Sequence, residues 1–107
     1  MLYAFALAAT LALPPVEEFV RGDANKDGQL NTADATAIWD HVFNGIWLTC
    51  EDAGDADNNG LIRQADGFYV LAFVYQGGPA PPAPFPDCGE DDGSDSLNCD
   101  SPPTYCE

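Results

Sequence analysis

The sequence predicts a small, mainly α protein: two loop–helix repeats, an extended apolar segment ahead of them, and a disulfide-tied Pro/Asp-rich tail behind. Three observations predict it. A twelve-residue acidic loop occurs twice, at Asp23 and again at Asp55. Each copy runs into a stretch with helical periodicity that stops at a glycine. Composition then changes abruptly on both sides of this region. The chain divides accordingly into an apolar segment (1–15), a repeat core (16–78) and a Pro/Asp/Cys tail (79–107).

The first loop places Asp23, Asn25, Asp27, Gly28, Gln29, Leu30, Asn31 and Asp34 at the same spacing as Asp55, Asp57, Asn59, Gly60, Leu61, Ile62, Arg63 and Asp66 in the second. Both read D-x-[DN]-x-[DN]-G-x-[IL]-x-x-x-D, an EF-hand-type calcium loop ending in Asp. Oxygen side chains recur where a hard cation needs them, and glycine sits where the chain must turn sharply around the ion. Gln29 and Leu61 would offer backbone carbonyls. Leu30 and Ile62 are apolar in both copies, as expected if the loops meet through a short strand contact over a shared core. The similarity runs without a gap from Gly22–Gly45 to Gly54–Gly77, and such a period marks a repeated supersecondary unit.

Asn31 or Thr32 caps a helix expected to reach about Asn44, with Ala35, Ile38 and Val42 on one face and Trp39 and Phe43 beside them. Gly45 supplies the stop. A second helix is expected from Gln64 to Gln76, with Phe68, Leu71, Val74 and Tyr75 as its apolar set and Gly77 as its stop. The aromatic residues read as core. After Gly78 the Pro-rich run is expected to be extended and polyproline-like, packing across the core without ladder hydrogen bonds.

A formal charge of −15 with three basic residues disfavours nucleic acid and anionic membranes as partners. It suits a divalent cation; two calcium ions would bring −15 to −11. Since empty acidic loops repel themselves, folding is expected to depend on calcium. A third ion is conceivable among Asp87, Glu90, Asp91, Asp92 and Asp95 of the tail, although their spacing is irregular. Cys50, Cys88, Cys99 and Cys106 are even in number and lack zinc-like spacing. They read as two disulfides in an oxidising, extracellular setting. Three connectivities exist. Cys88–Cys99, closing a short acidic loop, is favoured, with Cys50–Cys106 tying the tail to the inter-repeat linker.

The core, over roughly residues 19 to 78, resembles the type I dockerin family. The carriers of that resemblance are the two loops, their alignment, and the Gly- and Pro-rich run through Cys88 and Gly89. It implies two calcium loop–helix units related by near two-fold symmetry. It also implies calcium ligands at Asp23, Asn25, Asp27, Gln29, Asn31 and Asp34, then Asp55, Asp57, Asn59, Leu61 and Asp66. Arg63 cannot ligate, so water would take that place. Docking onto a cohesin-like partner is the interaction the resemblance implies.

Residues 2–13 are apolar and too short to span a bilayer as a helix. They have the length and the Ala6-Leu7-Ala8 triplet of a secretion leader, but no basic stretch follows Met1. Large Tyr3, Phe5, Leu7, Leu11 and Leu13 alternate with small Ala4, Ala6, Ala8, Thr10 and Ala12, Ala9 being the exception among the odd positions. That period favours a strand, with a helix as the alternative. Burying five such side chains is worth on the order of 10 kcal/mol gross, and the expected acceptor is another subunit. Strand addition of this kind joins copies head-to-tail and does not close.

No nucleophile, acid/base pair or Cys/His arrangement supports catalysis, so no enzyme is expected. The expected function is a structural, calcium-binding subunit of a secreted filament, a homopolymer joined through residues 2–13. The alternative is a dockerin-type module that recruits a cohesin-like partner. No N-x-[ST] sequon is present, so any glycan would sit on hydroxyls such as Ser101 or Thr104.

Overall fold

The computed structural model describes residues 17–93 and 95–107. The interface expected at Tyr3, Phe5, Leu7, Leu11 and Leu13 lies outside the described residues. Within them the protein is small and mostly helical. Helix α1 is Thr32–Asn44, α2 is the single turn Glu51–Gly54, and α3 is Gln64–Gln76. A 3-10 turn, Thr104–Cys106, lies near the end of the tail.

Both long helices start and stop where the sequence places them. Asn31 is the N-cap of α1, its side-chain oxygen accepting the Ala33 amide at 2.9 Å, which supplies one of the donors a helix start leaves unpaired. Gly45 and Gly77 end the helices in the left-handed region, at φ 69° and 66°. A side chain there would be strained, so glycine is the natural stop.

Helices α1 and α3 pack against each other. Their contact is built on Ile38 and Val70, both fully buried, with Ala24, Leu48 and Ala56 completing the core. These two residues are repeat equivalents. So are Ala35 and Gly67, one turn earlier. At Gly67 the helices come so close that an added Cβ would stand 2.3 Å from Trp39 Nε1. The indole fills that notch, donates to the Gln64 carbonyl at 3.0 Å and tilts against Phe68, with ring centroids 5.1 Å apart. A second, smaller core joins Phe19, Cys50, Ala53 and Cys99.

Four sequence expectations need correction. Phe43, Phe68 and Tyr75 are not core; they are 63 %, 58 % and 61 % exposed. Each helix has only one inward face, and the loop acids Asp34 and Asp66 fix it, because both are buried near the helix start. Residues one and four places later, Ala35 and Ile38 or Gly67 and Val70, must then face inward, and Val70 was missing from the expected set. No strand or bridge joins Leu30 to Ile62 among the described residues; the isolated bridges are Phe19↔Gly89 and Cys50↔Cys99. Instead, each of these side chains packs over the turn that opens its own loop, Leu30 at Gly22 and Ile62 at Gly54.

The third correction is the disulfide pairing. The bonds are Cys50–Cys99 and Cys88–Cys106. The tail returns antiparallel to the inter-repeat linker, with Asp52 N donating to the Asn98 carbonyl at 3.1 Å and Ser101 N to Thr49 at 3.0 Å. That register puts Cys99 beside Cys50, and Cys106 is left to meet Cys88. The fourth concerns the Pro-rich run, which does cross the core, burying Pro81 and Pro84, but bends repeatedly instead of forming one polyproline helix.

Candidate metal centres

Each acidic loop curls around a cluster of carboxylates. Asp23, Asp27 and Asp34 bring one oxygen apiece to within 4.8 Å of one another, and so do Asp55, Asp57 and Asp66. Oxygens that close can share one calcium ion, whose bonds of about 2.4 Å place its ligands no more than about 4.8 Å apart. Only oxygen donors are present, which is hard-cation chemistry.

The backbone aims these oxygens, and it does so identically in both copies. Asp23 Oδ2 accepts the Gly28 amide at 2.9 Å, and Asp55 Oδ2 accepts the Gly60 amide at 2.9 Å. Asp34 Oδ2 accepts from Asn31 N at 2.9 Å, while Asp66 Oδ2 accepts from Arg63 N at 2.7 Å. The other oxygen of each reaches the third residue of its loop, from Asn25 N at 3.2 Å and Asp57 N at 3.3 Å. Lys26 and Asn58, at matching places, both adopt left-handed φ (61° and 56°), and Gly28 and Gly60 follow at 87° and 89°. Lysine has no preference for that region. The shared excursion therefore comes from the loop's shape.

Asn25 Oδ1 accepts Asp27 N at 3.3 Å, and Asn59 Oδ1 accepts Leu61 N at 3.0 Å, so both stand at the cage wall. Asn31 spends its oxygen on the α1 cap. Gln29 and Leu61 are exposed, consistent with a role through the backbone alone. Burial pushes the Asp34 and Asp66 carboxyls up to about 7, and raises Asp55 as well. A divalent cation is the partner that would hold such dehydrated carboxylates in their charged form.

The tail lies over the first loop, and its Asp95 stands beside Gly60 of the second. The Tyr105 hydroxyl donates to Asp23 Oδ2, and Lys26 Nζ donates to the Ser101 carbonyl at 2.7 Å. Burial and the Asp23 carboxylate together push the Tyr105 phenol up. Of the tail acids, Asp91 and Asp95 meet Asp52 of α2 in a third carboxylate group, which does not include Asp87, Glu90 or Asp92. Burial, followed by the charges of Asp91 and Asp95, pushes Asp52 up to about 7. Sequence reasoning missed Asp52, Arg21 and Tyr105. Arg21 is fully buried; as one of three basic residues in so acidic a chain, it was the available signal.

Family models, curated proteins and solved structures were compared with the chain, and none matches. The two disulfides mark an oxidising, extracellular-type environment. Among the described residues no helix is long and apolar enough to cross a membrane.

Proposed function

We propose that this protein is a calcium-stabilised structural subunit of an extracellular filament, joined head-to-tail through residues 2–13. The observation that carries the calcium half is the pair of oxygen cages with matching amide contacts and matching left-handed turns. Two ions, held by dockerin-like repeats, would cancel the repulsion inside each cage and lock α1 and α3 through Asp34 and Asp66. The assembly half rests on the apolar, alternating segment at the start of the sequence and on a surface able to receive apolar groups. Phe43, Ile46, Trp47, Phe68 and Tyr75 are all more than half exposed.

A second reading has its own support. Phe43 and Tyr75 are repeat equivalents, exposed to nearly the same degree near the ends of α1 and α3. Such a pair suits a module that docks onto a cohesin-like partner. Phe5→Asp combined with Leu7→Asp separates the two. The filament reading expects soluble monomers that still bind calcium, seen by size-exclusion chromatography and negative-stain imaging. Continued polymerisation, or a wild-type chain that stays monomeric in calcium, would transfer the case to the docking module.

A further inference from the structure

We propose that Asp52, Asp91 and Asp95 form a third divalent-cation site, of calcium chemistry, that fastens the tail to α2. It lies outside both repeat loops and does not depend on how subunits assemble.

The group is more than an acidic cluster. Asp52 is only 4 % exposed, and its Oδ1 is buried with no hydrogen-bond partner. A buried carboxylate oxygen without a donor is a rare arrangement that calls for a missing partner. One oxygen from each of Asp52, Asp91 and Asp95 lies within 4.8 Å of the others. Beside them is a cavity of about 150 Å³ lined by Glu17, Asp52, Glu90, Asp91, Gly93 and Leu97. It has room for an ion with part of its water shell, and two further carboxylates stand around it.

Charge points the same way. Arg21 Nη2 pairs with Asp91 Oδ1 at 2.8 Å. Its Nε is committed to the Ala83 carbonyl at 3.0 Å, and its Nη1 to the carbonyls of Asp52 and Asp55, each at 3.1 Å. The guanidinium therefore neutralises one of the three carboxylates and has no N–H aimed at the Asp52 side chain. Three aspartates less one guanidinium leave −2, and Glu17 and Glu90 beside the cavity add to that negative charge, which calls for a divalent cation. All donors are oxygens and every cysteine is in a disulfide, which excludes thiolate chemistry. An all-oxygen group with room for water suits calcium, which takes about 6–8 oxygens in flexible geometry.

The test is equilibrium dialysis of the full chain against calcium chloride at about 0.15 M salt, where diffuse attraction to the acidic surface is screened. Bound calcium per chain is then measured by elemental mass spectrometry. Wild type should hold three ions. Asp95→Asn should hold two; its side-chain oxygen can still accept the Leu97 amide, bonded at 3.0 Å, so the loop turn survives. Asp52→Asn should also hold two, and it keeps the shape of the buried side chain. Either variant holding as many ions as wild type overturns the proposal. The repeat cages are judged separately: a cage whose Asp23→Ala or Asp55→Ala variant loses no ion fails as a metal site and lowers the wild-type total by one, while the loss of one ion expected of Asp95→Asn and Asp52→Asn is unaffected.

Discussion

Replacing Asp55 with alanine should separate the loop's structural work from its metal work. Asp55 is fully buried, and its two oxygens hold the amides of Gly60 at 2.9 Å and Asn59 at 3.2 Å. Without them, each stranded amide costs about 1–3 kcal/mol. Part of that is offset, because burial and the neighbouring Asp57 make the Asp55 carboxylate itself unfavourable. This portion is present whether or not calcium is. The second portion appears only in calcium. At a free concentration about a hundredfold above the dissociation constant, one site adds about 2.7 kcal/mol to the folded state. The variant forfeits that increment. At roughly 4–8 °C per kcal/mol for a domain near this size, its calcium-induced rise in Tm should be smaller than wild type's by roughly 10–20 °C. Thermal unfolding by circular dichroism, in calcium and in chelator, reads both portions. An equal loss of Tm in the two conditions would show that Asp55 only braces the backbone. No loss in either would remove it from the fold's support altogether.

Gly67→Ala should destabilise by about 1–3 kcal/mol, although alanine normally exceeds glycine in a helix by about 1 kcal/mol; the new Cβ has Trp39 Cε2 at 2.5 Å. A urea midpoint at or above wild type would refute the notch. In chelator, the protein should melt higher near pH 5 than near pH 8. Asp34, Asp52 and Asp66 rise from 3.8 to about 7 by burial, so between those values the folded form binds more protons than the unfolded one, and stability falls as pH climbs. Calcium displaces those protons, so its affinity should increase over the same interval; a chelated protein more stable near pH 8 would contradict this. Non-reducing peptide mapping should recover Cys50 with Cys99 and Cys88 with Cys106, and any other pairing would disprove the tail's path.

What the sequence made legible was local. A calcium-type loop fixes spacing within a dozen residues, and caps fix helix ends, so α1, α3 and the six loop aspartates could be read directly. The inward face of each helix was also encoded, though not in hydrophobicity. Phe68, Leu71, Val74 and Tyr75 look like a stripe, yet the position of Asp66 dictates that Gly67 and Val70 turn inward. The repeat equivalence of Ile38 and Val70 contained that answer. The tail's course was not legible, because it depends on tertiary contacts with no periodic signature. Arg21 binds Ala83, Asp91 and the turn at Asp52–Asp55, across separations no local pattern records. The disulfide pairing and the role of Asp52 follow from that course and were lost with it.

The two disulfides interlock: one bond starts at Cys50 and ends inside the span of the other, Cys88 to Cys106. They divide the chain from Cys50 to Cys106 into three stretches. Sever one peptide bond in any stretch and the molecule remains in one piece. Sever a second bond in a different stretch and it still does, because the remaining stretch and the two bridges connect all four cysteines. The nested arrangement, Cys88–Cys99 inside Cys50–Cys106, would shed its middle after one cut on each side. Interlocking therefore makes the region from Cys50 to Cys106 tolerant of one nick in each of two stretches; release from it takes a cut in all three stretches or two cuts within one.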